Sequence, residues 1–374
     1  MKIVHIQQYF NQGFGYQENI LPSYHKMLGN DVVFLTSTRS DGFNGGNRRQ
    51  PEGSFFENGF EVKRLPILGE FKYRFVFFKN LYEALENESP DYIFHHSATA
   101  PSLLTINKYK KNHPDTTVVI DNHADSQISG RIKLWKWFYY NFLWKNVNRL
   151  ISANIDKYFG VTPARCIFLN KELGVANEKI ELLPIGADTR NIVREKKDRK
   201  KLIADLGFPE DALIFCHGGK MSLKKDTDEL IKAFKRLELP EARLILFGTF
   251  LDKELSSLAD SDKRIECIGW CNRARVLEVL SGSDIGVWNG QHTTLLEDAI
   301  ACELPLILRK YGSTSHLIES NGLFIASSNM EDVFNAMNEI TSPKTLKSVI
   351  SGAKRMRSKL SYESIAIKSL TVGK

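Results

Sequence analysis

The feature that most constrains the fold is the alternation of short apolar runs with longer amphipathic runs along the whole chain. The short runs have the length of buried strands, and the longer runs repeat their apolar residues at helical spacing. A strand followed by a helix, repeated many times, predicts parallel sheets with helices on both faces. The predicted fold class is therefore α/β.

The predicted elements divide between two halves of the chain. The strands are KIVHIQ, DVVFLTS, YIFHHS, TTVVID and RLISAN in the first half, and ALIFCHG, RLILFG, IECIGW, DIGVWN and LPLILRK in the second. The helices are residues 17–29, 75–88, 101–112, 131–148, 227–238, 251–259, 273–281, 295–302 and 331–340. One open sheet of all these strands would be unusually large, so two Rossmann-like domains are predicted.

The best domain boundary lies beside the charged stretch REKKDRKKL at 194–202, which is typical of a solvated linker and a helix start. We place an N-terminal domain at 1–190, a C-terminal domain at 191–355 and a terminal helix at 356–374. Because open parallel sheets bind ligands beyond the carboxyl ends of their strands, a ligand cleft is expected between the two domains.

The composition describes a globular protein with an anionic partner. The chain of 374 residues is 42% hydrophobic and carries a net charge of +7, with a pI near 9.0. Such a charge suits a nucleotide, a nucleic acid or a membrane face. No nucleic-acid recognition motif accompanies the charge, so nucleic acid is not an expected partner. The five scattered cysteines lack zinc-site spacing and predict a reduced, cytoplasmic protein.

A glycine-rich turn, FNQGFGYQEN, follows the first predicted strand. Gly13 and Gly15 would let the backbone approach a ligand at the start of the next helix. The spacing does not match a dinucleotide fingerprint, and an ordinary tight turn is the alternative.

A second such turn lies in CHGGKMSLKKDTDELIKAF. Gly219 ends a strand, Lys220 follows it, and Lys224 and Lys225 precede a helix. Cations beside a glycine turn and a helix start suit a diphosphate, whereas a solvated lysine loop is the alternative.

The tripeptide DTD at 226–228 follows these lysines. Paired aspartates can hold a divalent ion, but here they open a helix, where Asp and Thr are favoured caps. Capping is the prediction, and no metal is expected.

An acidic pair, Glu297 and Asp298, lies in the first turn of the apolar helix in TTLLEDAIACELPLILRK. A buried carboxylate without a partner costs several kcal/mol. Either the pair faces water, or a polar group comes to meet it.

Six segments in this order resemble the family 4 retaining glycosyltransferases of the GT-B fold, and the resemblance covers nearly the whole chain. They are GFGYQEN, IDNHADS, ELLPIGAD, the Lys220–Lys225 pattern with LIKA, CIGW and LLEDAIACELPLI. The terminal KLSYESIAIKSL resembles the last helix of that fold, which crosses back onto the first domain.

The resemblance implies roles for individual residues. Glu297 would bind the ribose hydroxyls of a nucleotide sugar, and Thr293 and Thr294 would meet its diphosphate. His123 would contact the donor sugar or the acceptor, although a histidine satisfied within the core is the alternative. The matching segments add these donor-binding residues: Gly13, Gly15, Gly219, Lys220, Lys225, Trp270, Gln291 and His292.

One departure from the family pattern concerns the residue eight positions before Glu297. The family has a glutamate there that faces the donor sugar, and this chain has Asn289. The usual Gly-Phe-Gly that follows becomes Gly290-Gln291-His292. We expect an altered donor pocket and an active enzyme with a changed sugar preference.

The predicted function is transfer of a sugar, with retention, from a nucleoside-diphosphate sugar to an acceptor hydroxyl in polysaccharide or glycolipid synthesis. The predicted catalytic residues are His123, Lys220, Lys225 and Asn289. No metal and no cofactor beyond the donor substrate is expected. The alternatives are a nucleotide-sugar epimerase of similar fold and a nucleotide-sugar-binding protein that has lost turnover.

A membrane contact is predicted for RIKLWKWFYYNFLWKNVNR at 131–149, where basic residues alternate with Trp and Tyr. This composition suits an anionic lipid interface, and a lipid-linked or glycan acceptor would be used there. Packing of a crossover helix explains the aromatics equally well. The expected location is cytoplasmic, with peripheral contact to the inner face of the membrane.

Overall fold

The computed structural model describes residues 1–40, 48–72, 74–126, 133–190, 192 and 196–372. The chain divides into two compact units. Unit 1 comprises Met1–Gly186 and Tyr362–Lys374, and unit 2 comprises Ala187–Ser361. We had placed the divisions after residues 190 and 355.

Unit 1 contains a long mixed sheet, a hairpin and flanking helices. Its strands are β1 (Lys2–Gln7), β2 (Asp31–Ser37), β3 (Gly53–Glu57), β4 (Phe60–Leu65), β5 (Ile67–Phe71), β6 (Phe75–Phe78), β7 (Tyr92–His96), β8 (Thr117–Asn122), β9 (Lys157–Gly160) and β10 (Ile180–Leu182). Its helices are α1 (Gln17–Met27), α2 (Leu81–Glu88), α3 (Ser102–Asn112), α4 (Lys133–Lys136), a π-helix (Trp137–Trp144), α5 (Lys145–Ile151), α6 (Pro163–Lys171) and, from the end of the chain, a last helix (Tyr362–Ser369).

The main sheet of unit 1 has the order β10-β9-β8-β7-β1-β2-β4-β3, and β5 pairs only with β6. All neighbours in the main sheet are parallel except β3 and β4. Strands β1, β7 and β8 are buried along almost their whole length, as their continuous apolar runs predict. Their carboxyl ends carry the polar residues Asp121 and His96.

Three predictions for unit 1 were wrong in detail. Residues 149–154, predicted as a strand, end α5 and form a 3-10 turn, and the strand follows at β9. Residues 75–78, predicted as a helix start, form β6. The helix predicted at 131–148 is helical from 133 onward but contains a π-helical stretch, and residues 131–132 lie outside the described residues.

Unit 2 is a smaller parallel sheet between helices. Its strands are β11 (Leu213–Met221), β12 (Ala242–Phe250), β13 (Ile265–Gly269), β14 (Ile285–Trp288), β15 (Leu306–Arg309) and β16 (Gly322–Ile325). Its helices are α7 (Lys196–Leu206), a 3-10 turn (Leu223–Lys225), α8 (Thr227–Lys235), α9 (Lys253–Asp260), α10 (Arg273–Gly282), α11 (Leu295–Ala301), α12 (Met330–Ile340) and α13 (Pro343–Lys359). The last helix of the chain is therefore α14.

The sheet of unit 2 has the order β13-β12-β11-β14-β15-β16, with every pair parallel. Its core is formed by apolar faces of β11, β12 and β14 with α8 and α12. The strand order reverses between β11 and β14, and in open parallel sheets such a point is where ligands bind. The turn after β11 carries the predicted lysines.

Helix α14 belongs to unit 1, as the resemblance implies for the last helix. It packs against α1, where the rings of Tyr24 and Tyr362 stack with centroids 5.6 Å apart. The same Tyr362 ring lies against Gly186, where a Cβ would approach it to 2.5 Å. No helix among the described residues is long and apolar enough to cross a membrane.

Candidate functional site

The turn after β11 requires glycine for close packing. A Cβ on Gly218 would lie 2.2 Å from the ring of Phe247 on the neighbouring strand. Gly219 has φ +122°, and a Cβ on Gly248 would lie 2.1 Å from the Gly219 carbonyl oxygen. The two strands can therefore approach closely at their carboxyl ends only because side chains are absent there.

Two lysines project from this turn toward the same pocket. Lys220 lies near the end of β11, and Lys225 ends the 3-10 turn that follows. Both are exposed, and neither ammonium group has a hydrogen bond or an acidic partner among the described residues. Partial burial and repulsion from Lys220 lower the pKa of Lys225. A bound anion would satisfy both cations at once.

The pocket has a volume of about 460 Å³, within the usual range for small-molecule sites. Six residues predicted from the sequence line it: Gly219, Lys220, Lys225, Trp270, His292 and Thr293. A smaller adjoining pocket is lined by the same two lysines together with His217, Gly290 and Gln291. The structure thus brings together, within unit 2, most of the predicted donor-binding residues.

One side of the larger pocket is apolar and aromatic. The indole of Trp270 is 76% exposed, and Val276, Leu295 and the backbone of Gly248 lie around the same space. A planar ring could be held there by apolar contact, while polar groups bind the lysine side.

The acidic pair of α11 separates into two different environments. Asp298 accepts two hydrogen bonds from the Arg273 guanidinium, at 2.9 Å each. Glu297 is buried and accepts a hydrogen bond of 2.8 Å from His292 Nε2 through Oε1, while its Oε2 has no partner. A polar group therefore does meet Glu297, and its second oxygen is buried without a partner among the described residues.

Asn289, at the end of β14, is fully buried. Its Nδ2 donates to the backbone oxygens of Asp226, at 2.7 Å, and Ser328, at 3.1 Å. Its Oδ1 is buried and has no partner. The predicted contact with a donor sugar would have to use that oxygen, because both amide hydrogens are already donated.

In unit 1 the predicted histidine, His123, follows β8 and is 39% exposed. Its Nε2 lies 3.3 Å from Asp121 Oδ2, and His96 Nδ1 lies 2.9 Å from the same oxygen. Burial would favour a neutral Asp121, but the two imidazoles outweigh it and hold its pKa well below the usual range. Partial desolvation lowers the pKa of His123, and the charge of Asp121 outweighs it, so that this pKa is raised.

A chain of hydrogen bonds continues from His96 into the core of unit 1. His5 Nδ1 lies 3.0 Å from His96 Nε2, His5 Nε2 lies 3.0 Å from His25 Nδ1, and His25 Nε2 lies 2.8 Å from Ser369 Oγ in α14. Because an ionised carboxylate only accepts, His96 donates to Asp121 from Nδ1.

Two family models match this chain and together span most of it. The model described as glycosyl transferases group 1 matches residues 198–356, and the model described as glycosyltransferase family 4 matches residues 21–191. The chain is a GT4-type glycosyltransferase of the GT-B fold. The family prediction made from the sequence is confirmed.

Solved structures match the fold of this GT4-type glycosyltransferase along nearly its whole length. Alr3699/HepE from Anabaena in complex with UDP matches with a TM-score of 0.69 at 14% identity, over 99% of this chain and 98% of that one. A glycosyltransferase from Rickettsia africae matches with a TM-score of 0.68 at 14% identity, over 99% of this chain and 96% of that one. WaaG, a glycosyltransferase involved in lipopolysaccharide biosynthesis, matches with a TM-score of 0.52 at 15% identity, over 99% of this chain and 98% of that one. No curated protein matches.

One pocket residue of this glycosyltransferase was missed by sequence reasoning. His217 lies at the wall of the smaller pocket, and its Nδ1 donates to the Val287 backbone oxygen at 2.8 Å. Burial lowers its pKa to about 4, so its Nε2 is an unprotonated acceptor at neutral pH. The residue lies inside the apolar run ALIFCHG, where the available signal was a polar side chain directly before the glycine turn.

The remaining predicted residues have mixed outcomes. Gly13 has φ +76°, but its amide donates to Glu57 Oε1 at 3.0 Å. A Cβ on Gly15 would meet open space. Thr294 precedes α11 next to Thr293. These positions lie where the sequence suggested, and their contact with a donor stays a prediction.

Asp226 occupies the N-cap position of α8, as predicted, but it does not cap the helix through its side chain. Its side chain makes no cap hydrogen bond and instead accepts from Ser328 Oγ at 2.5 Å, while Thr227 Oγ1 accepts from the Ser222 amide. Within the part of the chain that the structure describes, no group of three or more His, Cys, Asp or Glu side chains could hold a metal ion.

Proposed function

We propose that this glycosyltransferase moves a sugar from a nucleoside-diphosphate sugar to an acceptor hydroxyl with retention at the anomeric carbon. The observation that carries the proposal is the pair Lys220 and Lys225, which share one pocket and lack acidic partners among the described residues. Alr3699/HepE structures are described in complex with UDP and with UDP-glucose, so uridine nucleotides are the first donors to test.

The main barrier in such a reaction is departure of an anionic diphosphate. Fixed cations lower that barrier when they already point at the atoms where charge develops. Lys220 and Lys225 would supply this stabilisation without a metal ion. Glu297 would bind the ribose hydroxyls through Oε2, and Trp270 would cover the base.

Unit 1 is proposed to bind the acceptor. A protonated His123 beside Asp121 would donate a hydrogen bond to an acceptor hydroxyl or a sugar oxygen. A neutral His123 that donates its one N–H to Asp121 would have no hydrogen left for that bond. In the retaining reaction proposed here, the leaving phosphate oxygen would take the proton from the acceptor hydroxyl, so no carboxylate base is assigned.

The test of this function is a panel of nucleoside diphosphates and nucleotide sugars. We expect one nucleotide class to raise the melting temperature of the full chain, because a ligand that binds only the native state stabilises it by mass action. With an acceptor mixture, release of the diphosphate and an anomeric proton signal with the donor configuration are expected. A Lys220→Ala/Lys225→Ala double variant is the control for specific binding.

Each other outcome points elsewhere. Absence of any nucleotide-dependent stabilisation contradicts the proposal. Stabilisation without turnover supports a binding protein that has lost its chemistry. Release of a diphosphate together with a free, epimerised sugar supports an epimerase.

The proposed acceptor is a glycan or lipid-linked glycan of a surface polysaccharide or lipopolysaccharide. The role of WaaG in lipopolysaccharide biosynthesis supports this choice by similarity of fold. A surface of unit 1 supports it independently. Four apolar side chains are exposed on the outer face of α4 and the π-helix: Leu134, Trp137, Phe138 and Phe142.

The β5–β6 hairpin extends this surface. Phe75 packs against Tyr139 and Trp144 of the π-helix, with centroid distances of 5.6 and 6.0 Å. The hairpin exposes Leu68, Phe71 and Phe77. Exposed Lys72 and Arg74 lie between the two strands of the hairpin, and exposed Arg149 lies on α5, which follows the π-helix. Apolar residues rimmed by cations suit the interface of an anionic bilayer.

Vesicle sedimentation tests this surface. At low salt we expect the full chain to sediment with vesicles containing anionic phosphatidylglycerol and to remain in solution with neutral phosphatidylcholine, because cations gain energy only at the charged surface. Trp137→Ser/Phe138→Ser should release the protein, and Trp270→Ser, which removes an exposed indole from unit 2, should not. Equal sedimentation of both variants contradicts the membrane contact.

A further inference from the structure

The turn that carries Lys225 has an unusual backbone conformation. Asp226, the next residue, has φ +57° and ψ 32°, which is the left-handed region. A non-glycine residue is disfavoured there and stays there only when its surroundings fix it. The direction of the Lys225 side chain depends on that turn.

Two contacts fix the turn from outside it. Asn289 Nδ2 donates to the Asp226 backbone oxygen at 2.7 Å, and Ser328 Oγ donates to the Asp226 carboxylate at 2.5 Å. Asn289 also donates to the Ser328 backbone oxygen at 3.1 Å. One buried amide therefore ties the lysine turn to the loop between β16 and α12.

The loop that follows Asn289 lies directly against the backbone of the lysine turn. A Cβ on Gly290 would lie 3.1 Å from the Lys225 carbonyl oxygen. Any shift of Asn289 would therefore be transmitted to the turn through packing as well as through the hydrogen bond.

The chemistry at this position requires a donor. Both groups that Asn289 meets are backbone carbonyl oxygens, which accept hydrogen bonds and cannot donate. A carboxylate has only acceptors, so Asp or Glu at this position would place negative oxygens against the carbonyls and leave both of them unpaired. The glutamate that the family pattern has here could not make these contacts.

We propose that Asn289 is a positioning residue that fixes the Asp226 turn and thereby holds Lys225 in place for the donor diphosphate. This inference rests on the proposed function, since it assumes that Lys225 binds the diphosphate. It replaces direct contact with the donor sugar as the main role of Asn289, and it explains why an amide is required where the family pattern has an acid.

The test measures binding of UDP, which has the diphosphate but no sugar, to the full chain by calorimetry. Asn289→Ala should weaken UDP binding by about three- to tenfold, since the lysine turn becomes free to move. Asn289→Asp and Asn289→Glu should weaken it at least as much. A residue that contacts only the donor sugar would leave UDP binding unchanged, and that result overturns the proposal.

A double-mutant cycle separates positioning of Lys225 from a general structural effect. In a Lys225→Ala background, Asn289→Ala should weaken UDP binding by less than about twofold, because the side chain that Asn289 positions is absent. In a Lys220→Ala background, the full three- to tenfold loss should remain. Equal losses in both backgrounds overturn the proposal.

A second variant covers the case in which changes at Asn289 prevent folding. Ser328→Ala removes the hydrogen bond to the Asp226 carboxylate and leaves the backbone oxygen that Asn289 contacts. We expect a smaller loss of UDP affinity that also disappears in the Lys225→Ala background, and persistence of the loss there contradicts the proposal. If the wild-type chain binds another nucleoside diphosphate and not UDP, the same double-mutant cycle is measured with that nucleotide, and the same outcomes decide. Failure of every nucleotide contradicts the proposed function itself.

Discussion

The two units differ in whether their clustered charged side chains have partners within the protein. In unit 1, the charge of Asp121 is met by His123 and His96, and the histidine chain behind them is hydrogen-bonded up to Ser369. In unit 2, Lys220 and Lys225 share a pocket with no acidic partner among the described residues. The Asp121 carboxylate has its partners within the protein, whereas two uncompensated cations identify a site that an anion completes.

The histidine chain behind Asp121 adds to this contrast. His96 donates to the buried Asp121 carboxylate, and His5 and His25 hold His96 in turn. The chain ends at Ser369, which is fully buried, and we therefore interpret it as structural support for Asp121. Unit 2 has no comparable support around its lysines within the described residues.

Removing both lysines should produce the largest effect. We expect Lys220→Ala/Lys225→Ala to lower turnover at saturating donor by more than about a hundredfold, with each single change contributing about tenfold, or about 1.4 kcal/mol. The melting temperature without ligand should be unchanged or higher, since two like charges are separated. Steady-state kinetics and thermal unfolding measure the two quantities.

Lys224→Ala is the matched control for this experiment. Lys224 is exposed beside Lys225 but does not line either pocket. Equal losses for Lys224→Ala and Lys225→Ala would mean that net charge, and not position in the pocket, accounts for the effect.

Acid should destabilise unit 1 before unit 2. Burial lowers the pKa of His25 to about 3 and of His95 to about 4, and lowers that of His5 strongly. An unfolded histidine binds a proton below pH about 6.5, so stability falls as the pH drops below that value, by about 2 kcal/mol at pH about 5 for one independent histidine. Unit 2 has His217 as its corresponding buried histidine with a lowered pKa.

Hydrogen exchange with mass spectrometry, corrected for the intrinsic pH dependence of exchange, locates this effect. Peptides from β1 and β7 should lose protection between pH about 6.5 and about 5 by a larger factor than peptides from β11 and β12. Loss of protection in unit 2 first would contradict the comparison.

Neutralising Asp121 should lower the pKa of His123. In Asp121→Asn the charge that favours the imidazolium is absent, so we expect the pKa of His123 to fall. Titration of the histidine C–H signals by NMR measures the pKa. The affinity for UDP should not change, because the proposed diphosphate site lies within unit 2.

His95→Asn is the control for that titration. His95 is buried beside His96 but hydrogen-bonds to Ser97 and Ser102 instead of Asp121. A similar fall in the His123 pKa in both variants would show that general disturbance of the core, and not the lost charge, is responsible.

The smallest effect is expected for Glu297→Gln. The amide oxygen can still accept from His292, while the charge-assisted bonds to ribose hydroxyls weaken, so donor binding should fall by about tenfold or less. Calorimetry with UDP and with UDP-glucose measures the change. Unaltered binding of both would dismiss the ribose role.

Much of unit 2 could be predicted from the sequence because its signals are local. The glycine turn after β11 and the lysines after it are adjacent in the chain, and the pocket brings Lys220 and Lys225 together as expected. His217 was missed because a histidine inside an apolar strand looks the same whether it faces the core or a pocket. The strand predicted at 149–154 failed because an apolar run of that length fits a helix end equally well.

The sequence by itself determined the α/β class, the family, most strands and helices of unit 2 except β16 and α13, and the residue types at the glycine turn after β11, because these depend on periodicity and on neighbours a few residues apart. Only the tertiary structure decided what Asn289 and the histidines contact. Asn289 meets Asp226 across 63 positions, and His25 meets Ser369 across 344. Contacts over such separations are set by strand order and helix packing, and a single sequence carries no local pattern for them.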